Sequence, residues 1–405
     1  MKKIIMLINN LSGNVISSLI LVVILTYSLI SVENMIGSYR YITFSEYILS
    51  NESLADSDYF MLDPVSLNMD EQYNHGSGKL INKISSFKGV KGVADSSKTA
   101  AYFRSSVVNL DFYNRYMTEA FNNILSEGRW FTHSENSTDC IEAVVCGAIF
   151  NDLPVGSKIE LAFPNVKETL KVEVVGKVGY PWYAPDYSSI SDEVSSGNFL
   201  VEANFVMLDD NESNRKMLPE NVEPRSLGLS FFVLYDNDCT SAQRNAVRDL
   251  YESVGSYKSY DEILKNTHDK IQNDLITGLV TPIFMLAVST ILLISIAVMT
   301  VYKKLREHTI YYLCGCSRRQ SFLYLVFGVS IPVFISVIIN TIYVAVKINN
   351  LASGVTGYEG VIFDYNNIWF GILYCIVTVT VAMILPYIVF RSNTPVEIYR
   401  RNHND

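Results

Sequence analysis

The sequence predicts a membrane protein: four transmembrane α-helices and a mixed α/β (α+β), two-lobed extracytoplasmic domain on helical stalks, inserted between the first and second spans. Three observations predict it. Four stretches carry no charge: the first, from about Leu11 to Val32, lies between Lys3 and Glu33, and the others lie between Asp274 and Lys303, Arg319 and Lys347, and Asp364 and Arg391. Each exceeds the roughly 20 apolar residues that cross a hydrocarbon core of about 30 Å. Basic residues collect on alternate connecting segments, and the long insert is polar, acidic and patterned in short strands and helices.

The basic residues orient the chain, because lysine and arginine on short loops are retained in the cytoplasm. Lys2 and Lys3 precede the first span; Lys303, Lys304, Arg306, Arg318 and Arg319 face one acid, Glu307, after the second; Arg391, Arg400 and Arg401 follow the fourth. The expected order is a cytoplasmic N-terminus (1–10), a first span (11–32), the extracytoplasmic domain with stalks at both ends (33–274), a second span (275–302), a cytoplasmic segment (303–320), a third span (321–346), an outer loop (347–367), a fourth span (368–390) and a cytoplasmic tail (391–405). The first apolar run is too long for a signal peptide, and Ser28 to Glu33 offers no small-x-small cleavage site. A retained anchor in the cell membrane is expected.

The insert holds 21 lysines and arginines against 36 aspartates and glutamates. That balance argues against a nucleic-acid partner and would weakly repel anionic lipid headgroups, with membrane lipid expected as a partner of the chain. Cys140, Cys146 and Cys239 fall outside, an odd number that cannot form a complete intrachain disulfide framework. Cys140 to Cys146 reads as a strand whose ends lie about 20 Å apart at 3.3 Å per residue, too far for a disulfide. A pair involving Cys239 stays open. Cys314 and Cys316 lie in the cytoplasmic segment and Cys375 in the last span.

Along the insert, Glu33 to about Asn51 extends the first span at helical spacing. Tyr59 to Leu62 reads as a strand, Gly78 to Phe87 as a helix, Val90 to Val93 as the turn into a second strand, and Phe112 to Glu127 as a helix ending at Gly128. Strands follow at Ile141 to Val145, Lys158 to Ala162 and Leu170 to Val178, where Leu170, Val172 and Val174 alternate with Lys171 and Glu173. The more strand-rich lobe is placed at about 107–178. Leu229 to Tyr235 is a further strand and Thr240 to Val254 a helix. Ser259-Tyr260-Asp261-Glu262 has a capping-box pattern, and a helix from Tyr260 to Tyr302 would measure about 64 Å, so that about half would stand clear of the hydrocarbon. Pro282 could kink it.

Chemistry-bearing motifs are few. Gly76-Ser77-Gly78-Lys79-Leu80 fails as a phosphate loop, since Tyr73 stands at the first glycine position and no Ser or Thr follows the lysine. His75, His133, His268, His308 and His403 show no metal-ligand spacing, and no catalytic residue, cofactor site or metal site is expected. Gly179-Tyr180-Pro181-Trp182-Tyr183-Ala184-Pro185 is an aromatic, proline-stiffened loop, read first as a packed lobe tip and second as a contact for substrate or membrane interface. The cytoplasmic stretch from Arg306 to Gln320 is an amphipathic basic segment at a helix end. It suits docking into a groove of a cytoplasmic partner, or only sets topology.

That segment resembles the one shared by MacB-type and FtsX-like permeases, the membrane subunits of ATP-binding-cassette (ABC) transporters. Arg306, Glu307, Ile310, Gly315, Cys316, Ser317, Arg318, Arg319 and Gln320 match the family's spacing; Thr394 to Arg400 resembles its proline-x-glutamate ending. Leu125 to Phe131, Val155 to Ile159 and Val174 to Val178 resemble segments of its strand-rich lobe. Tyr311 and Tyr312 stand where basic residues are usual, His308 and Thr309 replace an apolar-glycine pair, and Cys314 takes a leucine position.

The resemblance implies a non-catalytic subunit that pairs as a homodimer or with a related permease and binds a cytoplasmic ABC ATPase, which carries the ATP and Mg. Arg306, Glu307, Ile310, Gly315, Ser317, Arg318 and Arg319 are then the ATPase-coupling residues. The coupled motion would export peptides, antibiotics or lipoproteins, or activate an extracellular partner such as a cell-wall hydrolase. The insert is larger than FtsX-like signalling needs, which favours export. A membrane receptor or scaffold without an ATPase is the remaining class. The near absence of ionisable residues from the spans disfavours a hydrophilic channel or proton-coupled carrier.

Overall fold

A computed structural model describes residues 15–62, 76–133, 140–164, 166–186, 194–225, 230–313, 315, 317–353 and 360–392. The chain divides into two compact units: one of residues 1–38, 275–349 and 363–405, the other of residues 39–274 with 350–362.

The first unit is helical. Its elements are the first part of α1 (Val15–Leu49), most of α7 (Tyr260–Leu313), α8 (Arg318–Ser353) and α9 (Tyr365–Ser392). All four helices are long and apolar enough to cross a membrane. α7 is one helix of 54 residues with Pro282 inside it, longer than the sequence-predicted helix. Leu21, Leu25 and Leu29 of α1 pack with Leu293 and Ala297 of α7, Val333 of α8 and Ala382 and Met383 of α9. Between apolar helices, packing and interhelical hydrogen bonds supply what the hydrophobic effect cannot. Ser289 Oγ meets Ser28 Oγ at 3.4 Å and the Tyr374 hydroxyl at 3.0 Å, and Ser336 Oγ donates to the Val22 carbonyl at 3.2 Å. The opposite faces expose large apolar side chains, among them Ile283 at 56% and Trp369 at 70%. An apolar surface of that extent is compatible with a membrane setting.

The second unit has two lobes. In the first, β1 (Ser57–Leu62) follows the short helix α2 (Glu52–Ala55), and β2 (Val90–Ala94) follows α3 (Gly76–Ser85). The failed phosphate-loop glycines open α3, and the stretch read as a turn at Val90 is already strand.

The second lobe is built from β3 (Ser96–Phe103), β4 (Ser106–Tyr113), β5 (Leu125–Gly128), β6 (Ile141–Cys146), β7 (Lys158–Ala162), β8 (Thr169–Val178) and β11 (Phe205–Asp209), with the β9 (Tyr183–Pro185) and β10 (Leu200–Glu202) pair beside it. Its order is β5-β8-β6-β11-β4-β3-β7, and a further β7–β8 pairing closes it into a barrel. The β4–β11 and β6–β8 pairs are parallel. Val108, Leu110 and Phe112 of β4 point into the barrel with Val145, Leu161, Val172 and Leu208, while Tyr113 on the alternate face joins the other core. The barrel thus takes in strands on both sides of the 107–178 stretch.

The sequence-predicted helix from Phe112 to Glu127 is corrected. Phe112 and Tyr113 end β4, α4 spans only Arg115–Ala120 with Asn114 capping it, a 3₁₀ turn follows, and Leu125–Gly128 is a strand. Gly128 has φ +78, and a Cβ there would stand 2.2 Å from the Val175 carbonyl. The glycine marks a close strand crossing rather than a helix end.

The remaining elements are α5 (Glu212–Lys216), β12 (Ser230–Tyr235), α6 (Ser241–Val254) and β13 (Gly255–Ser259). With β1 and β2 the last strands form an antiparallel sheet of order β13-β1-β12-β2. Thr240 and Gln243 cap α6 reciprocally, and Ser259 and Glu262 do the same for α7. The α6 helix is pinned to the sheet by Arg248, which grips the fully buried Asp58 at 2.7 and 2.9 Å. Tyr235 donates to the same carboxylate at 2.8 Å. Cys146, Cys239 and Cys375 are free thiols, and Cys146 closes β6 in keeping with the strand reading.

Asp111, on the outward face of β4, is 1% exposed, and neither of its oxygens has a hydrogen-bond partner among the described residues. Burial pushes its carboxyl up to about 8, against Lys98, which is itself paired with Asp186 at 2.5 Å.

Two outcomes are expected in thermal unfolding of the full chain followed by tryptophan fluorescence. Replacing Arg248 by Met strands a buried carboxylate and should cost about 3–5 kcal/mol. The Asp111 pKa lies above its unfolded value of about 3.9, so its contribution is complete below that pH and is lost as the pH rises through about 8. Asp111→Asn should flatten the fall in stability across that window.

Candidate functional site

The predicted coupling residues gather at the α7–α8 hairpin. Arg306, Glu307 and Ile310 fall in the last two turns of α7, Gly315 lies in the link, Ser317 precedes α8, and Arg318 and Arg319 are its first residues. Cys314 and Cys316, and the tail from Thr394 to Arg400, lie outside the described residues. Gly315 is exposed with φ +87, a backbone conformation that costs an L-residue roughly 1–2 kcal/mol. The Ser317 N–H donates to Gln320 Oε1 at 3.1 Å, and the Gln320 N–H donates to Ser317 Oγ at 3.3 Å. This reciprocal cap satisfies two of the orphan amides at the start of α8.

Arg318 and Arg319 then occupy the positive end of that helix, where a cation is disfavoured by about 0.3–1 kcal/mol. Helix stability does not account for their position. The turn is therefore left-handed and capped, and two arginines follow it in sequence.

A second polar cluster escaped the sequence reading. Glu33, expected as the charge that ends the first span, is fully buried in the helical unit, where Asn367 Nδ2 donates to its Oε2 at 2.8 Å. Asn340 lies beside it: a Cβ on Gly371 would meet Asn340 Nδ2 at 3.1 Å and Glu33 Oε1 at 3.3 Å. The Tyr343 hydroxyl donates to Asn34 Oδ1 at 3.1 Å. The signal available in the sequence was two asparagines inside otherwise apolar runs.

The aromatic loop packs as a lobe tip: Trp182 is 1% exposed and Ala184 fully buried. Tyr183 and Tyr41 line a cleft of about 420 Å³ with Ser45, Glu202, Thr267 and Lys270. Tyr41 donates a short hydrogen bond to Glu202. Burial raises the Glu202 carboxyl above its ordinary range, partly offset by that bond, and pushes Tyr183 up to about 12.

Among the described residues no group of three or more His, Cys, Asp or Glu is placed to hold a metal. His133 instead bridges Asp209, by a short contact, and Thr118 Oγ1 at 2.9 Å, joining α4 to the end of β11.

No family model matches the chain, and no curated protein matches it. Among solved structures, the chain is similar to the periplasmic region of MacB from Actinobacillus actinomycetemcomitans, at 13% identity over 55% of this chain and 98% of that one, with a TM-score of 0.34. It is also similar to the extracellular domain of the noncanonic ABC-type transporter YknZ from Gram-positive bacteria, at 13% identity over 50% and 97% and a TM-score of 0.29. A domain of a putative permease protein from Porphyromonas gingivalis gives 8% identity over 50% and 82% and a TM-score of 0.28. Scores at this level fall short of a common fold, so the functional reading rests on the chain's own residues.

The hairpin geometry makes a directional expectation. Gly315→Asn, which tolerates the left-handed region, should leave amide exchange across residues 313–320 unchanged. Gly315→Val should accelerate it, and Ser317→Ala should do so to the extent of a lost cap, about 1 kcal/mol.

Proposed function

We propose that this chain is the permease subunit of an ABC transporter, a multi-pass protein of the cell membrane that is driven by a separate cytoplasmic ATPase and acts through its inserted domain. One observation carries the reading: the α7–α8 hairpin sets Gly315 in a left-handed turn and two arginines at a helix N-terminus that does not favour them. The resemblance of Arg306 to Gln320 to the permease coupling segment supports the same assignment.

On this reading Arg306, Glu307, Ile310, Gly315, Ser317, Arg318 and Arg319 seat in the ATPase, which alone binds ATP and Mg. Closure of two ATPase subunits presses on the hairpins of two permease chains. The displacement runs along α7, whose polar N-terminal part belongs to the inserted domain. The domain then changes shape against a substrate that is already outside or in the outer leaflet. Peptides, antibiotics and lipoproteins are substrates for which such expulsion needs no hydrophilic pore, in keeping with the apolar spans.

The test is a mild-detergent pull-down of the tagged protein from native membranes, with identification of everything retained. An ABC ATPase should be recovered with the unmodified chain and lost when Arg318 and Arg319 are both replaced by Ala. Recovery of no ATPase would overturn the assignment, and a retained cell-wall hydrolase would redirect it from export to activation of an extracellular enzyme.

A further inference from the structure

The loop between α8 and α9 belongs, through residues 350–362, to the same compact unit as the inserted domain. In its described part, Val361 is bonded by the Tyr180 side chain. The Tyr180 hydroxyl donates to the Val361 carbonyl at 2.8 Å and accepts from the Val361 N–H at 3.3 Å. Both backbone groups of a single loop residue are thereby satisfied, as a neighbouring strand would satisfy them.

The phenol is itself fixed. Its ring meets the buried Trp182 edge-on at 5.0 Å and lies 6.3 Å from Tyr41. Gly360, the residue before Val361, takes φ +62, and a Cβ there would lie 3.9 Å from the Tyr41 ring. The aromatic loop therefore offers Val361 a docking point whose position is set by packing.

Val361 stands three residues before Asp364, which caps α9. Asp364 Oδ1 accepts from the N–H groups of Asn366 at 2.9 Å and Asn367 at 3.2 Å, and Asn367 Oδ1 accepts the Asp364 N–H at 3.1 Å. Three residue steps reach at most about 11 Å when fully extended. A tether that short transmits displacement: once it is taut, the domain cannot move further without releasing Tyr180 or pulling the start of α9.

We propose that Tyr180 is a positioning residue that clamps the outer loop to the inserted domain, so that the domain is linked to α9 as well as to α1 and α7. The link is a property of this chain; only its use in an ATP-driven cycle rests on the transporter reading.

Amide exchange on the full chain in lipid nanodiscs, without any ATPase, tests the clamp. Tyr180→Phe keeps the ring and removes both hydrogen bonds. Exchange at Val361 should rise about tenfold, the equivalent of one net hydrogen bond, with thermal unfolding unchanged. Unchanged exchange at Val361 overturns the clamp. Tyr180→Leu, which also removes the ring, should raise it further.

With an ATPase recovered and bound, ATP should alter exchange at Tyr365 to Ile368 in the unmodified chain. In Tyr180→Phe that response should be lost while the response of α7 persists. A response retained in both places overturns the coupling role. A bound ATPase that produces no response anywhere defeats the transporter reading and leaves the clamp measured without it intact.

Discussion

The constraint on which the rest depends is the helical continuity of α7, whose ladder lacks only the bond that Pro282 cannot donate. Fifty-four residues without an intervening loop give a rod of about 81 Å at 1.5 Å per residue. One end is capped by Ser259 and Glu262 directly after β13, and the other runs into the left-handed turn at Gly315. A loop anywhere along it would absorb displacement by rotating two dihedrals. A continuous helix absorbs it only by bending or by breaking ladder bonds, and this makes the helix a mechanical part. α1, with 35 residues, has the same character.

Much of the fold was legible because its burial follows a simple period. Lys158–Ala162 alternates exposed and buried, and the observed strand has the sequence-predicted bounds; the helix after Thr240 shows itself by apolar residues at helical spacing, of which Val247 and Tyr251 are buried. Phe205–Asp209 is buried at every position, so it carries no alternation, and it pairs in parallel with a strand far away in sequence. The stretch from Phe112 to Gly128 misled because aromatic and aliphatic residues three and four apart are shared among a strand end, a short helix and a turn. At the site, Gly315, Ser317 and Gln320 were matched only as a spacing, and the cap that Ser317 and Gln320 form emerges from the structure. The grip of Tyr180 on Val361 joins residues 181 positions apart, and no local pattern reports it.

The two lobes treat buried charge differently. Asp58 is satisfied on both oxygens by a guanidinium and a phenol, and ties α6 to its sheet. Asp111 is buried to a similar depth with its nearest cation committed elsewhere, and it is held close to neutrality by its surroundings. The first arrangement stabilises only while both partners remain. The second makes the barrel lobe responsive to the acidity of the compartment it faces.

Closure of the barrel has a different consequence from the order of the other sheet. All barrel strands lie between Ser96 and Asp209, so that lobe can complete itself as soon as this stretch has been made. β1 is the second strand of its own sheet in space but the first in sequence, and its partner residue Ser230 comes 171 positions after Tyr59. At the usual 5–20 residues per second of synthesis, Tyr59-Phe60-Met61-Leu62 waits about 10–30 s for a partner. An apolar strand with both edges open for that long is a template for other chains, so the order in which the chain is made leaves newborn protein open to mispairing until β12 has been completed.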